Sequence, residues 1–274
     1  MATVGSGVIT FLVATFVVSW GLWFASGMTS PAGPHGPLFL LGVFTPGFVA
    51  LALTGWATGR SGVAALLRRL VDWRVPARWY VFALSYVAVL KLIVALVHRA
   101  TTGAWPHFGE VPWYLMLAAT LGSTLIGGQA GEEIGWRGYA LPRLGQRLGL
   151  GAASVLLGVV WAVWHLPLFF VPAADTSGQS FPLYLLQVTA LSVAMAWLYA
   201  NTRGSLVPVM LLHAAVNNTK DIVPSAEANA TNPWALSHSL VAWLTVGALW
   251  LCAGYFLLHM PTIPQRSVAQ SVAT

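Results

Sequence analysis

Two adjacent acidic residues occupy an apolar part of this chain, where Glu132 and Glu133 lie within the stretch 125–144. They are two of only seven acidic residues in the chain. An ionised carboxylate at membrane depth costs on the order of 3 kcal/mol by insertion scales, so such a pair needs a counter-ion or a chemical task. Glu133 and Arg137 are four residues apart and share one helix face, whereas Glu132 is turned about 100° away. We therefore expect Glu133 to pair with Arg137, and Glu132 is the candidate for chemistry.

Two histidines in later apolar segments add further reactive groups. His165 lies four residues after Trp161 and shortly before Pro167, which lacks the N–H that a helix needs, so we expect a kink beside His165. His213 and Asn217 are also four residues apart and should project from one face of a short helix. An acid, two imidazoles and an amide are thus expected on successive helices.

These groups are suited to the hydrolysis of a peptide bond. A carboxylate and an imidazole can take a proton from an attacking water, which assigns Glu132 as the base and His165 as its partner. His213 and Asn217 can donate hydrogen bonds to the developing oxyanion. Alternatively, Glu132, His165 and His213 are a ligand set typical of a catalytic zinc or another divalent metal ion. The spacing of the residues leaves both mechanisms open.

The composition indicates the surroundings of these groups. Hydrophobic residues make up 57% of the 274 residues and charged residues 7%, against about 25% in a soluble domain. The sequence therefore predicts an all-α, polytopic integral membrane protein with about eight transmembrane helices, the seventh notably short. The first segment has no basic n-region and no cleavage site, so we expect a transmembrane helix and not a removable signal peptide. The eight predicted segments are 7–27, 38–58, 79–98, 113–133, 152–171, 182–201, 205–218 and 235–258.

The basic residues predict the orientation, because cytoplasmic loops carry the excess of Lys and Arg. Placing ten of the thirteen inside requires both termini to be cytoplasmic; it leaves Arg99 and Lys220 outside and Lys91 within the third helix. The loop 59–79 should lie along the inner membrane interface. We predict a multi-pass protein of the cell membrane without a nucleic-acid partner, since the positive charge serves topology. The ten residues are Arg60, Arg68, Arg69, Arg74, Arg78, Arg137, Arg143, Arg147, Arg203 and Arg266.

The chain is predicted to form one structural unit with three parts. Residues 1–110 contain the first three helices and the basic cytoplasmic loop, residues 111–222 the catalytic core, and residues 223–274 the last helix and a cytoplasmic tail. Cys252 is the only cysteine, which excludes an intrachain disulfide. Lys91, in the middle of an apolar helix, should snorkel or pair with a membrane acid.

The predicted depths of the reactive groups do not agree. Counting from the inner surface places Glu132 at a shallow level but His165 beyond the middle of the membrane. We therefore expect either that the fourth helix begins later and runs on through Tyr139, or that the helices are strongly tilted.

Three ordered motifs resemble those of a known family, the CPBP intramembrane endopeptidases. The motifs are EExxxR from Glu132, an aromatic residue four positions before His165, and HxxxN from His213, and together they span about a third of the chain. The family includes CAAX prenyl proteases of the Rce1 type and bacterial Abi and bacteriocin-immunity-like proteins. One departure is that the aromatic residue of the second motif, usually Phe in this family, is Trp161 here. We expect this change to alter the shape of the pocket and not to abolish the chemistry.

The resemblance implies an all-α membrane core in which the first glutamate and both histidines are catalytic and the asparagine assists. It implies an endopeptidase that acts on membrane-associated protein or peptide substrates in the lipid bilayer. The family has been discussed both as metalloproteases and as metal-independent glutamate proteases, so no cofactor or a zinc ion remain alternatives. The candidate catalytic residues are Glu132, Glu133, Arg137, His165, His213 and Asn217.

Two other classes of protein are alternatives. A non-catalytic immunity or scaffold protein of the same fold would be indicated by the loss of a motif residue, but all the motif residues are present. A proton-coupled transporter could use Glu and His as a relay, and it should show paired repeats with broken helices in both halves. Here the polar groups are confined to the second half of the chain, which argues against a transporter.

Overall fold

The computed structural model describes residues 4–29, 36–126, 128–171, 174–224 and 232–262. Within these ranges the secondary structure is helical and contains no strand. The predicted all-α class is therefore confirmed. Arg266 and most of the predicted cytoplasmic tail lie outside the described residues.

The described residues form ten α-helices, with one π-helical and two 3₁₀ segments between them. The first three α-helices are α1 (Val4–Thr29), α2 (Pro37–Arg68) and α3 (Ala77–Thr102). They are followed by α4 (Trp113–Ile126), α5 (Gln129–Glu133), the π-helix (Ile134–Ala140), α6 (Leu141–Leu148), α7 (Leu150–Trp164) and a 3₁₀ turn (Leu166–Phe170). The last elements are α8 (Phe181–Asn201), α9 (Val207–Thr219), a second 3₁₀ turn (Lys220–Ile222) and α10 (Leu240–Leu258).

Six stretches among the described helices are long and apolar enough to cross a membrane. They comprise α1, α2, α3, α8, α10 and the segment Leu150–Phe170, which combines α7 with the 3₁₀ turn after it. The predicted segments 113–133 and 205–218 instead coincide with shorter helices, the 14-residue α4 and the 13-residue α9. A helix of 13 residues is only about 20 Å long, which is less than the hydrocarbon layer. The chain is thus a polytopic membrane protein. Two of the eight predicted transmembrane segments correspond to helices shorter than the hydrocarbon layer, α4 and α9.

The acidic pair lies where the helical path changes its geometry. The sequence predicts one helix over 113–133, but α4 ends at Ile126 and a separate helix begins at Gln129. From Gln129 the chain stays helical through the π-helix into α6. It therefore runs on through Tyr139, as in the first of the two arrangements expected from the depths of Glu132 and His165. π-helical turns are rare and frequently occur at functional sites, because they shift side chains out of the regular register.

Glycine breaks the long α2 helix near its C-terminal end. Gly59 has φ 67° and ψ −161°, a conformation that is open to glycine and costly for other residues. The basic segment after it, residues 60–68, can therefore leave the direction of the preceding transmembrane part. The predicted position of this segment along the inner membrane interface stays a prediction.

The helices that carry the acidic pair pack against α2 through glycines. A Cβ on Gly131 would lie 2.5 Å from Cδ1 and 2.9 Å from Cα of Phe44. A Cβ on Gly135 would lie 2.6 Å from Pro46, and one on Gly47 would lie 2.7 Å from the carbonyl oxygen of Gly131. The backbones of the two segments are therefore nearly in contact, as small residues allow in membrane helix packing. Another helix, α2, thus approaches this glycine-rich segment closely.

The interior of the bundle surrounds α8 and a cluster of tryptophans. Every residue from 188 to 196 in α8 is buried, and α7, α9 and α10 pack around this helix. The indole of Trp164 lies 4.7 Å from that of Trp23 and 5.6 Å from that of Trp136, measured between ring centroids. Other tryptophans, such as Trp56, are exposed on the outer surface. Tryptophan thus serves both helix packing and the lipid-facing surface.

The close packing at Gly131 can be tested by adding one methyl group. We expect Gly131→Ala to destabilise the protein by about 1–3 kcal/mol, because the backbone of Phe44 would have to move. Gly254→Ala in α10 is the matched control, since nothing lies within 4 Å of the added Cβ. It should leave stability unchanged or raise it by up to about 1 kcal/mol. Unfolding in detergent measures both variants, and equal stability would contradict the close approach.

Candidate active site

Four of the six predicted site residues line one cavity of about 500 Å³. These are Glu132 from α5, His165 after α7, and His213 and Asn217 from α9. The other two, Glu133 and Arg137, are completely buried and lie outside the cavity lining. The fold therefore brings together residues that are up to 85 positions apart in the chain, and it separates the two adjacent glutamates.

Glu132 faces the cavity with one carboxylate oxygen already engaged. The indole Nε1–H of Trp161 donates a hydrogen bond to Oε2 of Glu132 over 2.8 Å. Glu132 is only 6% exposed, so this bond forms in surroundings with little water. A hydrogen bond to a charged group contributes about 1.5–3 kcal/mol, which is enough to hold the carboxylate in one orientation.

Glu133 connects the π-helix to α9. Its Oε1 atom accepts hydrogen bonds from Nη1 of Arg137 and from Nδ1 of His213, each over 2.8 Å. The contact with Arg137 has the spacing that the sequence predicted. The contact with His213 was not predicted, because the two residues are 80 positions apart. Since a carboxylate accepts, Nδ1 of His213 carries the hydrogen, and Nε2 is left for the cavity.

His165 is held by a backbone carbonyl at the end of α7. Its Nδ1 atom lies 2.8 Å from the carbonyl oxygen of Trp161, which can only accept, so Nδ1 is the donor and Nε2 is left for other contacts. The α-helix ends at Trp164 and a 3₁₀ turn containing Pro167 follows, in agreement with the break predicted there. The ring of Tyr184 packs edge-on against His165 at 5.7 Å.

Trp161 contacts four of the six predicted site residues. Besides the bonds to Glu132 and His165, its ring packs edge-on against His213 at 5.1 Å. The guanidinium carbon of Arg137 lies 4.3 Å from the indole centroid, within the range of a cation–π interaction. Sequence reasoning treated this residue only as a wall of the pocket. The signal it offered was the indole N–H donor, which Phe at this position would lack.

Asn217 and Lys91 extend the polar lining beyond the reactive groups. Asn217 is exposed and lines the cavity one helical turn after His213, as the spacing predicted. Lys91 is buried in α3, also lines the cavity, and donates from Nζ to the carbonyl oxygen of Val223 over 3.1 Å. Asp221 also interacts electrostatically with Lys91. Lys91 thereby ties α3 to the end of the α9 segment.

A metal ion would need at least three ligands close together. No group of three His, Cys, Asp or Glu side chains with that arrangement occurs in the part of the chain that the structure describes. Glu132, His165 and His213 line the same cavity without forming such a group.

The reactive residues of this cavity lie within a segment that matches a known family. Residues 110–219 match the model of the type II CAAX prenyl endopeptidase Rce1-like family. This segment of the chain is therefore similar to the Rce1-like family. The matched segment contains Trp161 and all six predicted site residues, and the predicted resemblance is confirmed.

A curated relative supports this assignment over a larger part of the chain. The protein named CAAX prenyl protease 2 from Methanococcus maripaludis is 24% identical over 239 residues, which cover 78% of this chain and 83% of the relative. Together with the Rce1-like domain, it supports the general class of intramembrane endopeptidase. The six long apolar helices and the match to a membrane-protease family support a multi-pass membrane protein.

The hydrogen bond from Trp161 to Glu132 can be tested by removing only the donor. We expect Trp161→Phe to lower kcat for peptide cleavage about 10–100-fold, because the carboxylate loses a bond that contributes about 1.5–3 kcal/mol. KM should stay unchanged, because the ring is kept and the substrate is not expected to touch the indole nitrogen. Trp113→Phe is the matched control, since Trp113 is 75% exposed. A Trp161→Phe protein with the wild-type kcat would show that this bond does not position Glu132.

The buried cluster around Glu133 is also expected to be important for stability. Arg137→Ala should cost about 3–5 kcal/mol and reduce the folded yield, because it leaves a buried carboxylate without its cation. Arg147→Ala, on the exposed side of α6, should change stability by less than about 0.5 kcal/mol. Denaturant unfolding of both variants in the same detergent measures the difference. Similar stabilities would mean that His213 alone satisfies Glu133.

Proposed function

We propose that the protein is an endopeptidase that hydrolyses peptide bonds of membrane-associated protein or peptide substrates, with a water molecule activated by Glu132. The observation that carries this proposal is the shared cavity of Glu132, His165 and His213. Glu132 has one oxygen held by Trp161, and both histidines have Nδ1 bound to an acceptor. Each of the three groups thus keeps a reactive atom for a substrate or a water.

Glu132 and His165 would act on the attacking water. Glu132 takes one proton from the water while the oxygen of that water forms a bond to the peptide carbonyl carbon. Nε2 of His165 accepts a hydrogen bond from the water and so orients it. The proton then passes from Glu132 to the leaving nitrogen as the C–N bond breaks. The products are a new carboxyl terminus and a new amino terminus, and no covalent enzyme intermediate is formed.

His213 and Asn217 would stabilise the oxyanion. The side-chain amide of Asn217 donates from the exposed face of α9, and His213 in its imidazolium form donates from Nε2. Preorganised donors of this kind contribute about 3–4 kcal/mol each in acyl-transfer enzymes. Glu133 and Arg137 are positioning residues in this proposal, because they hold His213 from outside the cavity.

The proposal includes the organisation of the chain in the membrane. Residues 111–222 would be the catalytic core of a single structural unit, with residues 1–110 and 223–274 supplying the remaining helices. We propose a position in the cell membrane with both termini in the cytoplasm. A non-catalytic scaffold or a transporter has less support, because neither requires an acid and two oriented histidines in one cavity.

Replacing the proposed base by its amide is the decisive experiment. We expect Glu132→Gln to lower proteolysis at least about 100-fold while the protein remains inserted, because the amide can accept the bond from Trp161 but cannot take a proton. The measurement compares the termini of membrane proteins in cells that express the wild type or the variant at matched levels. Glu110→Gln makes the same chemical change at an exposed position and should retain full activity.

The outcomes of this comparison separate the alternatives. Termini that appear with the wild type and Glu110→Gln but not with Glu132→Gln would name a substrate and support the assignment of the base. Identical termini in all samples would favour the non-catalytic scaffold. Once a substrate is known, its cleavage should persist in the presence of a chelator; loss of activity that zinc restores would instead support the metal-dependent mechanism.

A further inference from the structure

We infer that the connection between α2 and α3 carries a binding site for the phosphate group of an anionic phospholipid. The site is a pocket of about 380 Å³ that is distinct from the active-site cavity, since the two share no lining residue. It does not depend on the proposed function. The residues that line it are Arg68, Arg69, Val71, Asp72, Trp73 and Arg74.

The pocket carries positive charge that the protein does not neutralise. Three of its six lining residues are arginines and one is an aspartate, which leaves a formal charge of +2. None of these arginines forms an ion pair with a carboxylate among the residues that the structure describes. Like charges held close together repel each other, so an anion that enters the pocket relieves this repulsion.

Hydrogen bonds within the connection hold the pocket in shape. The backbone N–H of Val71 donates to the carbonyl oxygen of Arg68 over 3.1 Å, and that of Trp73 donates to the carbonyl oxygen of Val71 over 3.0 Å. The hydroxyl of Tyr80 in α3 donates to the carbonyl oxygen of Trp73 over 2.7 Å. These bonds fold the connection into a compact turn, so that Arg68 and Arg74 line the same pocket.

A second set of bonds fastens this turn to the rest of the bundle. The backbone N–H of Leu206 donates to the carbonyl oxygen of Arg69 over 2.9 Å, and the hydroxyl of Ser205 donates to the carbonyl oxygen of Asp72 over 2.6 Å. Nη1 of Arg69 also donates to the hydroxyl of Tyr199 over 2.9 Å. The pocket is therefore preformed, and a ligand does not have to order the chain when it binds.

The arginine side chains suit a phosphate ligand. A planar guanidinium can donate two parallel hydrogen bonds to the oxygens of one phosphate group. Arg68 and Arg74 are exposed, so their guanidinium groups are accessible to a ligand. The guanidinium carbon of Arg74 lies 5.9 Å from the centroid of the Trp73 ring, within the range of a cation–π interaction. The indole thus helps to keep Arg74 beside the pocket.

The surroundings of the pocket favour a lipid over free phosphate. The connection joins α2 and α3, which are both long and apolar enough to cross a membrane, so it lies at a surface of the bilayer. Val71 and Trp73 are 69% and 68% exposed, and the nearby Leu67 is also exposed. Apolar side chains beside arginines suit the membrane interface, where they contact acyl chains while the arginines reach the headgroups. A free phosphate ion would leave these three apolar side chains uncovered.

Two arginine substitutions test the site without any assay of activity. Arg68→Ala/Arg74→Ala removes two of the pocket arginines and keeps Arg69, which also bonds within the bundle. Arg60→Ala/Arg147→Ala is the matched control, because it removes the same charge at two exposed positions outside the pocket. We expect the first variant to bind phosphatidylglycerol at least about tenfold more weakly than the wild type, and the control to bind it equally well. Native mass spectrometry of each protein in detergent, titrated with phosphatidylglycerol, measures the affinity for the first bound lipid.

Competing ligands identify the source of the phosphate. Phosphatidylcholine should bind the wild type at least about fivefold more weakly than phosphatidylglycerol, because the positive pocket repels its choline group. Inorganic phosphate should not displace phosphatidylglycerol; displacement would point to a site for free phosphate and overturn the assignment to a lipid. Equal affinity of the wild type and Arg68→Ala/Arg74→Ala for phosphatidylglycerol, or equal losses in this variant and the control, would also overturn the inference.

Thermal unfolding separates lost binding from a damaged fold. Without added lipid, the three proteins should unfold within about 2 °C of each other, because the substituted arginines are exposed. Phosphatidylglycerol should raise the unfolding midpoint of the wild type and the control but not that of Arg68→Ala/Arg74→Ala. A rise of the same size in all three would contradict the site. If the alanine variant is less stable without lipid, Arg68→Gln/Arg74→Gln takes its place, since glutamine keeps a long polar side chain without the charge.

Discussion

The site depends on the neutralisation of one buried carboxylate. Glu133 is completely enclosed, and its Oε1 atom accepts hydrogen bonds from both Arg137 and His213. A charge in such surroundings is tolerated only when it is paired and hydrogen-bonded. Since the two partners lie on the π-helix and on α9, satisfying this charge also fixes the distance between the two elements. The imidazole of His213 is oriented by the same contact.

Trp161 and the glycines near Glu132 connect the buried Glu133 cluster to the cavity. The indole N–H holds Glu132, and the ring packs against His213 and Arg137, so one side chain joins the reactive carboxylate to the buried cluster. Gly131 and Gly135 let α2 approach the backbone of the acidic segment. The Glu132 side chain therefore has little freedom to move, which is the preorganisation that its proposed role as a general base requires.

Short helices allow polar groups to lie at membrane depth in this bundle. The helices α4 and α9 are too short to cross the bilayer, and α7 gives way to a 3₁₀ turn directly after Trp164. Interrupted helices are tolerated within a membrane where they are covered by protein or line a polar cavity. Here the interruptions occur beside the cavity.

The sequence by itself determined the all-α membrane class, the approximate positions of the helices, the Glu133–Arg137 pair and the motifs that resemble the Rce1-like family. These features depend on composition and on spacings of about four residues, which a helix converts directly into neighbours. Only the tertiary structure decided that Glu133 also holds His213, that Trp161 donates to Glu132, and that α4 ends at Ile126. Contacts between helices depend on how the helices are rotated and packed around each other, and the periodicity of a single helix does not contain that information.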